Sequence, residues 1–466
     1  MRTKLLTLLL LVSILITGCA TATTQAPATE APVVPTAVPA TMAAVVPTKA
    51  PATEPPTAEP TAAAPIALKV YVVDFTVDST DKWLQDTVVP AFRKLFPNVT
   101  VEFVWGTWST FGETVAGYFA AGDGPDIINL GSEFNGLYGD QLAPLNQYLG
   151  EAAWPEIKQF IPGTLENASW KGELRGLPIF AAPRFVFCRS DLMQAAGVTA
   201  QPTDFAGWVD FAKKLTIIDS ATNSLAQQGF VPVDAATMAD FQWYLNTIWS
   251  IGGTLYKADG VTPNFDSPEA AAALKFNYDL KRAVYPDDNV GTLPPSQGSV
   301  VDEGGGAVCL WHSGWAAPAA DSPIWSSIDI QPFTGDPTNF PNSKPIALSF
   351  VDWWAVPAYS KNVEMAAEFL KFVFSKDNNE MYNQTMGLIP SRVDAQANLA
   401  GVVAKEAGIA SQYGYGYAGI LEPTKLQEIL QKELGACLTD QQDQATTLTN
   451  IQDQYTQALK DASYIK

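Results

Sequence analysis

His312 is the single histidine of the chain, and no G-x-S-x-G turn accompanies it. A histidine-dependent triad therefore has one candidate base and no elbow to carry its serine. One histidine and no cysteine pair at metal spacing argue against a zinc or iron centre. Gly304-Gly305-Gly306 lacks the Lys-Ser/Thr that a phosphate loop requires. The acids Asp287-Asp288 and Asp302-Glu303 are neighbours in the chain, whereas glycosidase carboxyls face each other across a sugar. What remains is recognition chemistry. The chain holds 13 tryptophans, bulky amphipathic plates that line cavities as well as cores. Isolated polar groups stand at the ends of apolar runs: Asp74 and Asp78 after the first, Asn129, Ser132 and Glu133 after another, and Asp352 inside a third. No metal, cofactor or catalytic residue is expected.

These groups need elements to hold them. Ile66–Phe75 reads as a strand from its apolar and β-branched content. Residues 81–95 read as a helix with Trp83, Leu84, Val88, Ala91, Phe92 and Leu95 on one side. Phe96-Pro97-Asn98 ends it, and Val99–Trp105 is a second strand. Strand-helix-strand implies a parallel sheet. A helix over Thr110–Ala121, the turn Gly122-Asp123-Gly124-Pro125 and a strand over Asp126–Leu130 follow. Further helices are expected at Phe205–Lys214, Pro268–Arg282, Val363–Phe374 and Thr424–Leu434, and no repeat of 20–50 residues is visible. In open α/β sheets ligands bind at the carboxyl ends of strands, where Asp78, Asn129, Ser132 and Glu133 fall.

The start of the chain is of another kind. Arg2 and Lys4 precede an apolar run from Leu5 to Ile16. It is too short for a span, which needs roughly 20 residues, and reads as a secretory signal peptide over residues 1–18. Ile16-Thr17-Gly18-Cys19 resembles the lipobox of bacterial lipoproteins, which implies diacylation of Cys19 and a lipid anchor. Residues 20–65 hold ten prolines, ten threonines and no aromatic residue. With Cys19 they read as an extended tether that buries no core. About 400 residues remain, too many for one core. A formal net charge of −20 argues against nucleic acid and anionic lipid as partners. Cys188, Cys309 and Cys437 are an odd set, so no disulfide framework is expected; one bridge is conceivable, and buried thiols are the expected state.

Seven blocks in order carry a resemblance. They are "FRKLFPNVTVEFVW", "YFAAGDGPDIINL", "LRGLPIF", "RSDLMQAAGVTAQPTDFAGWVDFAKKL", "IGGTLYKADG", "GGGAVCLWHSGW" and the stretch from "DWWAVPAYSKNVEMAAEFL" to "GLIPSR". From Ile66 onward the chain resembles the extracellular solute-binding proteins of ABC importers, the sugar-binding family that includes maltose-binding protein. It departs from the family's Tyr-Tyr-Asn strand, where it has Phe187-Cys188-Arg189, and from its glycines, where it has Phe350, Val351 and Asp352.

The resemblance implies an α/β, two-lobed periplasmic-binding-protein type II fold with a hinge and an interlobe ligand cleft. Residues 66–182 with 332–375 would form lobe 1, and 183–331 with 376–466 lobe 2. The hinge crossings would lie near Ala181–Arg184, Pro332 and Ser375. A sugar cleft wants aromatic plates and a few polar groups for hydroxyls, and carboxylates suit those edges. Trp315, where relatives carry a stacking Trp, is the first plate expected, followed by Trp353, Trp243 and Trp105. Tyr415, between glycines that allow close approach, is a further one. Asp352, Glu133, Asn129, Ser132 and Asp78 are the expected polar groups, and Arg392 is expected to be structural. The implied function is capture of a carbohydrate, an oligosaccharide above all, by a monomeric, lipid-anchored protein outside the cytoplasm, and its delivery to permease subunits. The anchor would hold it on the outer face of the cytoplasmic membrane, or in the periplasm or outer membrane of a two-membrane cell. Binding of a polyamine, peptide or glycerophosphodiester by the same fold stays open, as does a secreted carbohydrate-active enzyme.

Overall fold

The computed structural model describes residues 64–73, 78–231, 238–293, 306–313, 323–416 and 419–466. Cys19, Asp74 and Trp315 lie outside the described residues, and Asp78 is described in its backbone alone. Ala62–Lys466 forms one compact unit.

The opening is the expected one. Strands β1 (Ile66–Val73) and β2 (Val99–Gly106) pair in parallel from Ile66↔Val99 to Val73↔Gly106. β3 (Ile127–Gly131) adds to the other edge of β1, also in parallel. Helix α1 joins β1 to β2. It is α-helical over Asp78–Trp83 and Val89–Leu95, with a π turn at Leu84–Val88 between them. That turn corrects one detail. Leu84, Val88 and Phe92 are buried as the periodicity predicts, but Leu95 is 62% exposed. A π turn inserts a residue and rotates the positions after it. Helix α2 (Trp108–Ala121) closes on Gly122, whose left-handed φ of 63° ends it before β3.

The longest strand is β4, the 14 residues Gly176–Arg189. Three later strands lie beside it: β5 (Cys309–Ser313), β6 (Ile328–Gln331) and β7 (Ala347–Ala355). The first part of β4 runs antiparallel to β7, from Gly176↔Ala355 to Pro183↔Ser349. The second part runs antiparallel to β5, from Arg184↔Ser313 to Cys188↔Cys309, and to β6 on its other edge. The handover therefore falls between Pro183 and Arg184. β7 in turn pairs with β3, which joins β4 to the parallel strands. β8 (Ile389–Pro390) extends β4, and β9 (Gly414–Gly416) extends β7.

Amphipathic helices cover this nine-stranded sheet. The expected ones form at α4 (Phe205–Leu215), α6 (Pro268–Val284), α7 (Val363–Val373) and α10 (Pro423–Leu438). Asp204 and Ser267 cap two of them, accepting from the backbone N–H of Gly207 and Ala270. α3 (Pro162–Asn167), α5 (Met238–Ser250), α8 (Lys376–Met386), α9 (Gly401–Tyr413) and α11 (Gln444–Asp461) complete the set used here. Among the described residues no helix is long and apolar enough to cross a membrane. Arg392 is fully buried, bonded to Asp394, Glu156 and the carbonyl of Phe374.

Cys188 and Cys309 form a disulfide between β4 and β5, with Cα atoms 4.2 Å apart. Cys437 is buried and free. The bridge closes a loop of 121 residues, which in the loop-entropy description stabilises by at most about 5 kcal/mol and in practice by about 2–4. Replacing both cysteines by alanine should lower the melting temperature by several degrees. Thermal denaturation of the double variant checks this, and an unchanged midpoint would refute it.

Candidate functional site

Polar side chains converge where β1 and β3 end against β7. Asn129, on β3, is fully buried. Its Oδ1 accepts from the Val73 N–H at 3.3 Å, and its Nδ2 donates to Asp352 Oδ2 at 3.4 Å. One amide thus ties β1, β3 and β7 together at one level. Ser132 follows, and its Oγ accepts from the Val351 N–H at 3.3 Å. Glu133 sits in the short turn Ser132–Phe134. A Cβ at Gly131 would stand 2.5 Å from Glu133 Oε2, so a larger residue there would displace the Glu133 carboxyl.

Two carboxyl groups are therefore buried together. Glu133 is 9% and Asp352 7% exposed. Burial pushes Glu133 up from 4.5 to about 7, against the pull of its own backbone N–H and of Arg184. Asp352 is raised well above the usual carboxylate range, first by burial and then by the charge of Glu133. The nearby cation is Arg184, the first residue past the handover in β4. Its guanidinium lies 4.8 Å from the Phe350 ring centre and 5.4 Å from that of Trp311. Its Nη2 donates to Gln242 Oε1 at 3.0 Å.

Side chains alternate across a strand, and this sorts the residues near the handover. Arg184, Phe350 and Asp352 occupy one face. Ala181, Ser349 and Val351 occupy the other. The first face gathers two carboxyls, an amide, a guanidinium and an aromatic ring. That set can accept from and donate to ligand hydroxyls while excluding water.

The expected plates fare differently. Trp353 is fully buried among Tyr71, Phe111 and Leu130, and its Nε1 donates to the Gly131 carbonyl at 3.3 Å. Trp354 does point to the opposite face, but Phe374 covers it edge-on at 5.3 Å. Trp243 is core too, 4.6 Å from Phe333 and 5.2 Å from Trp311. In this structure these rings have protein on both sides and present no face to a cleft. Trp105 is half-buried and stacked on Phe103 at 5.2 Å. Tyr415, on β9, packs against Trp249 at 5.4 Å and lines a separate cavity with Val351 and Ser349. Its register partner is Leu348, so its side chain is on the face that carries Phe350 and Asp352. Arg184 and Gln242 are the members of the cluster that the sequence reading left out. Arg184 had a signal: it is the one charge within the apolar run Gly176–Cys188. Among the described residues no group of three or more His, Cys, Asp or Glu could hold a metal.

Comparison with known proteins gives the family and the fold. Residues 77–380 match the family described as bacterial extracellular solute-binding protein. The diacetylchitobiose-binding protein DasA of Streptomyces coelicolor is 24% identical over 350 residues, 73% of this chain and 76% of that protein. Maltose-bound MalE3 of T. maritima superposes with a TM-score of 0.67 at 20% identity, covering 84% of this chain and 100% of that one. An ABC substrate-binding protein from Listeria monocytogenes in complex with cycloalternan gives 0.66 at 17%, covering 85% and 99%. The fold is the two-lobed maltose-binding-protein type.

The raised Glu133 predicts a pH effect with a definite sign. Between 4.5 and about 7 the folded protein holds a proton there that the unfolded chain has released. Stability therefore falls as pH rises through this window, by up to roughly 3 kcal/mol from this group. Glu133→Gln removes the ionisation. Its melting temperature should match the parent's at pH 4 and exceed it increasingly from pH 5 to 7. A constant offset across the range would refute the assignment.

Proposed function

The chain belongs to the bacterial extracellular solute-binding proteins, and we propose that it captures an oligosaccharide and delivers it to the membrane subunits of an ABC importer. The family works outside the cytoplasm. The observation that carries the ligand class is the mixed polar and aromatic face formed by Glu133, Asp352, Arg184 and Trp311 at the strand ends. Sugars offer hydroxyl edges and apolar faces, and buried carboxyl groups and a guanidinium are directional partners for hydroxyls. The named sugar ligands of the relatives support the same reading.

In this reading residues 66–182 with 332–375 form one lobe and 183–331 with 376–466 the other. Trp315 is the proposed stacking plate and Asp78 a further polar partner of the ligand. Ligand drives closure only through contacts it makes better in the closed state. The protein works as a monomer and turns nothing over. Glu133 and Asp352 set against Arg184 favour a second reading in one respect: an amine would let both carboxyls ionise.

Calorimetric titration with neutral oligosaccharides, N-acetylated sugars, polyamines and peptides decides between them. Saturable binding of one sugar class without hydrolysis is expected, and ligand at 100 times its dissociation constant should add about 2.7 kcal/mol of stability. Arg184→Ala should weaken that binding by roughly 10- to 100-fold with no comparable loss of melting temperature. Silence from every sugar and a response to an amine would replace the ligand class and leave the family standing.

Cys19 carries the anchor in this reading, and residues 20–65 are the tether. Cys19→Ser should move the protein from the membrane fraction to the soluble one. Membrane partition that survives the change would refute lipidation at this residue.

A further inference from the structure

The sheet face turned away from Asp352 and Arg184 carries a cavity of about 460 Å³. Its floor is β4 and β7, through Ala181, Ser349 and Val351. Its walls are α3 on one side and α9 with β9 on the other. Alternation along β4 and β7 makes it a separate site and not an extension of the polar cluster.

The lining states what it would accept. Ile161, Ala181, Val351, Ile389 and Ala410 give it an apolar body. No charged side chain is among the described residues around it. An ion entering it would lose its hydration without compensation, so charged ligands are disfavoured. One polar group there lacks a partner. Asn167 is 3% exposed, its Nδ2 donates to the Gly163 carbonyl at 2.7 Å, and its Oδ1 accepts from nothing. A buried acceptor without a donor is costly and rare. The volume is within the range of small-molecule sites, about 300–1,000 Å³.

We propose that this cavity is a second binding site, for an uncharged amphipathic molecule with an aromatic or alicyclic body and one hydrogen-bond donor placed on Asn167 Oδ1. Val351, Ile389 and Ala410 hold the body of such a ligand, and Ser411, exposed on α9, stands at the mouth. The site makes no use of the solute and does not depend on the ligand class proposed above.

The probe is N-phenylnaphthylamine, which is uncharged, carries a single N–H and fluoresces in apolar surroundings. Titrated into the solute-free protein it should give a saturable signal at one probe per chain. Its sulfonated analogue, anilinonaphthalene sulfonate, should bind at least about tenfold more weakly because of its charge. Ala410→Phe should fill the cavity and Ser411→Trp should obstruct its mouth, each abolishing the signal. The second change is on the surface, so it remains informative if the first fails to fold. Asn167→Leu should weaken binding about tenfold, as loss of one buried hydrogen bond does. No saturable signal, a signal indifferent to both Ser411→Trp and Ala410→Phe, or equal affinity for the sulfonate would overturn the proposal.

Discussion

β4 fills its two edges with different strands along its length. Up to Pro183 it is bonded to β7, with β8 on the other edge at Phe180 and Ala181. From Arg184 it is bonded to β5 and β6. A buried backbone leaves few polar groups unpaired, so each part is locked into its own set of partners. Freedom is left where the partners change. The two prolines of the strand stand at its two irregularities. Pro178 faces the register shift between Asp352 and Trp353, and Pro183 is the last residue before the handover. Proline brings no N–H to a ladder and belongs at such places. The change of partners between Pro183 and Arg184 is where the proposed lobes would turn against each other.

The polar cluster depends on the same arrangement. β7 brings Asp352 beside Gly131 and the end of β3, and β4 brings Arg184 beside Phe350. A lone carboxyl in this setting would protonate. Burial raises both carboxyls, Glu133 to about 7 against the pull of Arg184, and Asp352 well above the usual carboxylate range with the charge of Glu133 adding to the burial. A ligand that donates hydrogen bonds here replaces the water those groups lost on folding. The chemistry of the site is therefore prepared by the fold before any ligand arrives.

The regular parts of this design were legible in the chain. β1, α1 and β2 follow from β-branched runs, helical spacing and the Pro97-Asn98 break, and the strand-end positions of Asn129, Ser132 and Glu133 follow from them. Burial on both faces was not legible from alternation. "ALSFVDWWAVP" reads as continuous apolar sequence, the mark of a strand covered on both sides. That mark outweighs the alternation that offered Trp353 as a plate. Tyr413, in a segment with the look of a glycine-rich loop, closes helix α9, and Tyr415 pairs into the sheet beyond it. Glycine content records conformational freedom, and here packing removes it. Leu95 escaped because a π turn leaves no trace in periodicity.

One consequence of the handover is geometric. Arg184 and Asp352 stand on one side of the strands that carry the handover, and Ala181, Ser349 and Val351 on the other. A rotation about those strands that narrows the first side widens the second. α3 is bonded to the part of the chain before the handover, through the Arg175 N–H to the Ala168 carbonyl at its end. α9 packs on the part after it, with Val402 and Ala410 beside Phe185, Phe187 and Ile330. α9 also packs on β7 and β8, so both parts of β4 contribute to the surroundings of the cavity between α3 and α9.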